Sequence, residues 1–167
     1  YAEAIPLYET VLKKEPANSL GWNRLGFSYH STGQYDKAIE NYKRSLEHNP
    51  APPLAATVHG RLARAWSFKQ NKAEALAALE KALASGYKNV GEMETHADYA
   101  FLRNDPGFTK LTARALDNAF PCRLNAQARE FDFWIGEWDV FLTGTTTIVG
   151  ESRIEPAAGD CMILENW

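Results

Sequence analysis

Four histidines, His30, His48, His59 and His96, are the side chains best suited to acid–base or metal chemistry near neutral pH. They are scattered along the chain without an HExxH or comparable spacing, so none has a second ligand at a metal-binding offset. The carboxylates Glu130, Asp132, Glu137 and Asp139 lie close together. A general acid–base pair needs two carboxyl groups held in opposite protonation states. On an alternating strand these four would mostly share one face, and such a face is usually solvated. Cys122 and Cys161 belong to no CxxC pair and have no histidine at metal spacing. They fit either two half-buried thiols or one disulfide pinning the start of a C-terminal unit to a strand. The bridged form needs an oxidising, periplasmic or secreted setting, whereas free thiols also suit the cytoplasm. No phosphate-binding GxxxxGK[ST] loop, GxGxxG turn or GxSxG elbow occurs. The expectation is a non-enzyme with no catalytic residues, no cofactor and no metal.

Function must then lie in the surfaces that the secondary structure builds. The 167 residues are 45% hydrophobic and 23% charged, an ordinary globular composition. A net charge of −3 argues against nucleic acid as a partner. The charge is uneven: 3 basic and 8 acidic residues follow Phe120, whereas the segment before it is slightly basic. That shift predicts two units with different surfaces. No run of 18 apolar residues exists to span a membrane.

The dominant signal is a repeat. Tyr1/Tyr35, Ala4/Ala38, Ile5/Ile39, Tyr8/Tyr42, Leu12/Leu46 and Pro16/Pro50 are each 34 apart. A further copy follows at an offset of 37, pairing Leu25/Leu62, Gly26/Ala63, Tyr29/Trp66, Ala38/Ala75 and Leu46/Leu83. The three extra residues are assigned to a Pro-rich joint around Ala51–Leu54. In the middle copy Trp22, Leu25, Gly26 and Tyr29 share one helical face, and Tyr35, Ala38, Ile39, Tyr42 and Leu46 share another. Asn18 or Ser19 can cap the first helix, Gly33 can end it, and Pro50 stops the second. Asn71 is expected to make the left-handed turn in the third copy. Tyr8, Trp22, Tyr29, Tyr35, Tyr42 and Trp66 are expected in the core.

This period, with Trp22, Leu25, Gly26, Tyr29, Ala38, Tyr42 and Pro50, resembles the tetratricopeptide repeat (TPR) over residues 1 to about 85. The resemblance implies a mainly α fold, an α-solenoid of antiparallel helix pairs. The expected divisions are a half repeat at 1–16, a full repeat at 19–50 and a degenerate repeat at 56–85. Capping helices at 87–118 follow, since a solenoid must cover its last face. For the family, partner peptides lie in the concave groove formed by the first helix of each pair. By register that groove contains Asn23, Arg24, Phe27, His30, Arg61, Arg64 and Phe68. Its three arginines favour an acidic protein or peptide, or a free C-terminal carboxylate.

Residues 119–128 read as a linker. Beyond it, FDFWIGEWDV, a glycine-punctuated strand and GDCMILENW read as a β-meander over 129–167. The string resembles the opening of a bacterial lipocalin-like β-barrel domain, with Gly136, Glu137 and Trp138 as its G-x-W. A closed barrel of that kind needs about eight strands, so the expectation is an incomplete barrel in a chain cut from a longer one. A small apolar ligand in the completed barrel is the alternative function to partner binding.

Overall fold

The computed structural model describes residues 1–159 and 161–167. The chain forms two compact units, Tyr1–Asn118 and Ala119–Trp167.

The first unit is helical. Its elements are α1 (Ala4–Lys14), α2 (Ser19–Ser31), α3 (Tyr35–Glu47), α4 (Pro52–Phe68), α5 (Lys72–Ala84), α6 (Val90–Thr95) and α7 (Pro106–Ala119), with a 3-10 turn at Ala97–Tyr99. Helix α2 packs on α3 and α4 on α5, which gives the repeated hairpin. Local chemistry sets the boundaries. The Asn18 side chain accepts the Gly21 amide at 2.8 Å and caps α2. Gly33, at φ 76°, turns the chain from α2 into α3. Asp105 accepts the Gly107 and Phe108 amides at 2.8 and 3.2 Å, opening α7 just before Pro106.

The interior follows the repeat. Leu25, Tyr29, Ala38, Ile39, Tyr42, Leu62, Ala63, Ala75, Leu79 and Leu83 are buried in one cluster. Tyr8, Trp22, Tyr35 and Trp66 are only partly buried against it. Close approach explains Gly26: a Cβ there would lie 2.7 Å from the Tyr42 ring.

Two local expectations are corrected. The joint around Ala51–Leu54 is not a loop throughout, because Pro52 and Pro53 occupy the first turn of α4. Proline is at home there, where its missing N–H costs no helical bond. The left-handed turn of the third copy falls on Gln70, φ 57°, and not on Asn71. Gln70 is the residue 37 after Gly33; Asn71 instead caps α5 by accepting the Glu74 amide at 3.3 Å.

The second unit begins with three 3-10 turns, Pro121–Leu124, Ala126–Arg129 and Asp132–Trp134. The segment read as a linker is therefore structured. The FDFWI start of the expected meander, where Phe131, Phe133 and Ile135 alternate with polar neighbours except at Trp134, is not a strand: Asp132–Trp134 is a 3-10 turn, and an Arg129–Asp132 ion pair at 2.7 Å tightens it. The Trp138 indole donates to the Trp134 carbonyl at 2.8 Å and ties this segment to β1. Strands β1 (Gly136–Phe141), β2 (Ile148–Ala157) and β3 (Met162–Asn166) form an antiparallel sheet in the order β1-β2-β3. Its edges are open among the described residues. A disulfide joins Cys122 to Cys161, with Cα atoms 5.5 Å apart, and holds the first 3-10 turn to the β2–β3 connection.

Candidate functional site

The residues assigned to the groove divide into two groups on the facing sides of α2 and α4. Asn23 and Phe27 lie one helical turn apart on α2, and Arg61 reaches both from α4. Its Nη1 donates to Asn23 Oδ1 at 3.0 Å, and its guanidinium lies 4.3 Å from the Phe27 ring centroid. Tyr1 packs edge-on against the same ring at 5.2 Å. Arg24 is exposed beside them. Burial, with the charges of Arg24 and Arg64, pulls the pKa of Arg61 below its ordinary value, although Tyr42 and Glu92 act the other way.

One turn further along α4, Arg64 is in a different state. It is buried, 8% exposed, and fully engaged. Its Nη1 donates to Glu92 at 2.5 Å, its Nε to Asp98 at 3.1 Å, and its Nη2 lies 2.6 Å from His96 Nε2. Asp98 also holds His30 at 2.7 Å. The Tyr87 hydroxyl donates to the other Glu92 oxygen. Burial works against the Asp98 carboxylate, but the hydrogen bond and charge of His30, with Arg64 and His96, outweigh it and hold its pKa below the ordinary range. For Arg64, burial lowers the pKa and the two carboxylates more than restore it. This is an internal ion network whose charges are paired within the chain, while His30 Nδ1 is buried without a hydrogen-bond partner among the described residues.

Phe68 joins neither group. It stacks on Tyr35, with centroids 3.9 Å apart, and His30 packs edge-on against that tyrosine at 5.0 Å. The structure thus brings Asn23, Phe27 and Arg61 together, leaves Arg24 next to them, and turns Arg64 and His30 inward. Residues 87–98 were missing from the sequence-derived groove. Their acids Glu92 and Asp98 carry no signal of pairing with residues about 30 and 70 positions away. Lys88 and Asn89 join Phe27, Pro53, Thr57 and Arg61 around a cavity of about 520 Å3.

The cluster Glu130, Asp132, Glu137 and Asp139 does not assemble on one face. Glu130 and Asp132 lie in the 3-10 segment, and only Glu137 and Asp139 lie on β1. Among the described residues no group of three or more His, Cys, Asp or Glu side chains is placed to hold a metal ion, and no helix is long and apolar enough to cross a membrane. In the second unit, Phe131, Trp134, Ile135, Ile154, Met162 and Ile163 line a pocket of about 320 Å3.

Stacked helix hairpins with small residues at their crossings define a helical repeat. Residues 19–52, spanning α2, α3 and the first residue of α4, match the tetratricopeptide repeat family. The chain is 32% identical over 98 residues to a chloroplastic protein of Arabidopsis thaliana, covering 58% of this chain and 29% of that protein. It is 35% identical over 69 residues to a photosystem I assembly protein of a Synechococcus species, covering 40% of each. The chain spans well under half the length of these curated relatives.

Proposed function

We propose that this chain is a protein-interaction scaffold that holds a partner polypeptide on the α2–α4 face of its repeat unit. The observation that carries the reading is the half-buried pair Phe27 and Arg61, set over the buried Asn23 with the exposed Arg24 beside them, a strip on the face that repeat hairpins turn toward their ligands. The match of residues 19–52 to the tetratricopeptide repeat supports it. So does the likeness to a relative named as an assembly protein. An assembly role, in which one polypeptide is held while others join it, is the form of scaffolding we favour. The positive strip selects an acidic partner segment or a chain-terminal carboxylate.

A photo-crosslinking amino acid tests this directly. Placed at Thr57, beside the strip, it should yield a covalent adduct with a partner polypeptide. Placed at Glu47, exposed near the end of α3, it should not. Equal yields from both positions would sink the groove assignment.

A second reading rests on the pocket in the 119–167 unit. Its aromatic and aliphatic lining suits a small apolar ligand, in line with the resemblance to a lipocalin-like sheet. Addition of medium-chain fatty acids should then quench Trp134 fluorescence and raise the melting temperature. A panel of such ligands with no effect on either would remove this reading.

A further inference from the structure

We infer that the pocket of the 119–167 unit takes a small organic cation, a short alkyl chain ending in a quaternary ammonium group, with Glu165 as its counter-charge. This rests on the apolar-pocket reading above and names the class of ligand.

Three charged side chains line that pocket: Arg129, Asp132 and Glu165. Two of them compensate each other, because Arg129 is ion-paired with Asp132 at 2.7 Å. Glu165 is in a different state. Among the described residues no cation pairs with it; its polar contact is the neutral Ser152 hydroxyl, which donates to Oε1 at 3.0 Å. Ser152 is buried, so this bond fixes where the carboxylate sits. Strand register brings the carboxylate to the pocket. Glu165 lies opposite Ile154, and Ile163 opposite Pro156, so all four rise from one face of the sheet.

The pocket is therefore a mostly apolar lining with one uncompensated negative charge. An anionic head group is repelled there, and a neutral one gains no charge interaction from Glu165. A cation gains from two sources. Besides the carboxylate, the exposed aromatic rings of Phe131 and Trp134 belong to the same lining, and aromatic faces attract ammonium groups. A quaternary ammonium also carries methyl groups into apolar surroundings. The wider field acts in the same sense: 3 basic and 8 acidic residues follow Phe120, and an excess of one sign draws the opposite charge toward it. The volume of about 320 Å3 is at the small end of ligand sites, about 300–1,000 Å3, which limits the ligand to a short chain.

Three ligands with one eight-carbon chain separate the head groups: octyltrimethylammonium, octanol and octanoate. The protein has two methionines, Met93 fully buried in the repeat unit and Met162 exposed in the pocket lining. Carbon-13 labelling of their methyl groups gives a reporter and an internal control in one spectrum. With the disulfide intact, the Met162 signal should move on titration and the Met93 signal should not. Octyltrimethylammonium should bind about fivefold more tightly than octanol, and octanoate should be the weakest of the three. Glu165→Gln keeps an acceptor for Ser152 and should erase the advantage of the cation over octanol. Glu137→Gln removes an equal charge from the opposite face of the sheet, where Glu137 pairs with Arg153, and should preserve that advantage. Equal affinities for the cation and octanol, tighter binding of octanoate, or a loss in Glu137→Gln as large as in Glu165→Gln would overturn the cation assignment and leave the pocket reading standing. No movement of Met162 with any of the three, or equal movement of Met93, would remove the pocket reading and the inference with it. The head-group ranking in the parent decides the matter even where Glu165→Gln fails to fold.

Discussion

His30 on α2 and Asp98 in the 3-10 turn after α6 meet at 2.7 Å across 68 positions of sequence. That contact, with Arg64 bonded to the same Asp98 oxygen, closes the 3-10 turn after α6 onto the inner face of the repeats. It makes residues 87–99 part of the repeat unit and pairs two groove positions, His30 and Arg64, within the chain.

Replacing Asp98 with Asn should therefore cost stability, not partner binding. The change leaves Arg64 and His30 short of a buried counter-charge, a loss of about 3 kcal/mol. Urea unfolding followed by far-UV circular dichroism reads it. The acid limb carries the sign of the effect. Asp98 has a folded pKa below its ordinary 3.8, so its contribution is present above that value and lost as pH falls through the folded value. The parent should lose stability below about pH 4, and Asp98→Asn should lose less over the same range. Parallel acid profiles for the two proteins would count against the network.

Tyr29 gives the matching prediction at high pH. Its hydroxyl donates to Glu9 at 2.7 Å, and that bond, with burial and the Glu9 charge, pushes its pKa up to about 12. The raised value means that the stabilisation is complete below pH 10 and disappears as pH rises toward 12. Absorbance at 295 nm should show several late-ionising tyrosines, one of which, titrating at about 12, is missing from Tyr29→Phe. If the amplitude lost in Tyr29→Phe belongs instead to the ordinary range near pH 10, the Glu9 bond does not form in solution.

Ala38 has no exposed surface and sits where α2 crosses α3, with its carbonyl next to Gly26. Ala38→Leu should overpack this crossing and cost about 2 kcal/mol. A melting temperature identical to the parent would mean that the crossing is looser than described.

The disulfide should matter only to the C-terminal unit. Cys122 and Cys161 close a loop with a sequence separation of 39, and a cross-link of that size is worth about 4 kcal/mol. A 49-residue unit with so small a core depends on such a staple. Reduction should raise the intact mass by about two hydrogens. It should also remove the near-UV ellipticity contributed by Trp134, Trp138 and Trp167, leaving that of Trp22 and Trp66, while the helical signal at 222 nm persists. Loss of both signals together would mean that the two units do not unfold separately.

The helical hairpins were legible because their cause is local and periodic. Leu25, Tyr29, Ala38 and Tyr42 recur with the pitch of a helix, and Asn18, Gly33 and Asp105 mark boundaries through bonds to nearby residues. The third copy was legible from spacing alone, although its turn fell on Gln70. The 119–135 segment was less so, because 3-10 turns leave no period to read and the alternating Phe131, Phe133 and Ile135 disguised one as a strand. The cysteine pair left two readings open for the same reason: bridging depends on where the β2–β3 connection returns, not on any spacing.

By itself, then, the sequence determined the repeat and its buried face, since hydrophobic periodicity and capping act over a few residues. Only the tertiary structure decided which groove positions stay open. Arg61 and Arg64 are one turn apart on the same face and indistinguishable by type and register. What separates them is that Glu92 and Asp98 return from some 30 residues downstream to neutralise one arginine and not the other. Charge compensation of that kind depends on proximity in space, and no local pattern records it.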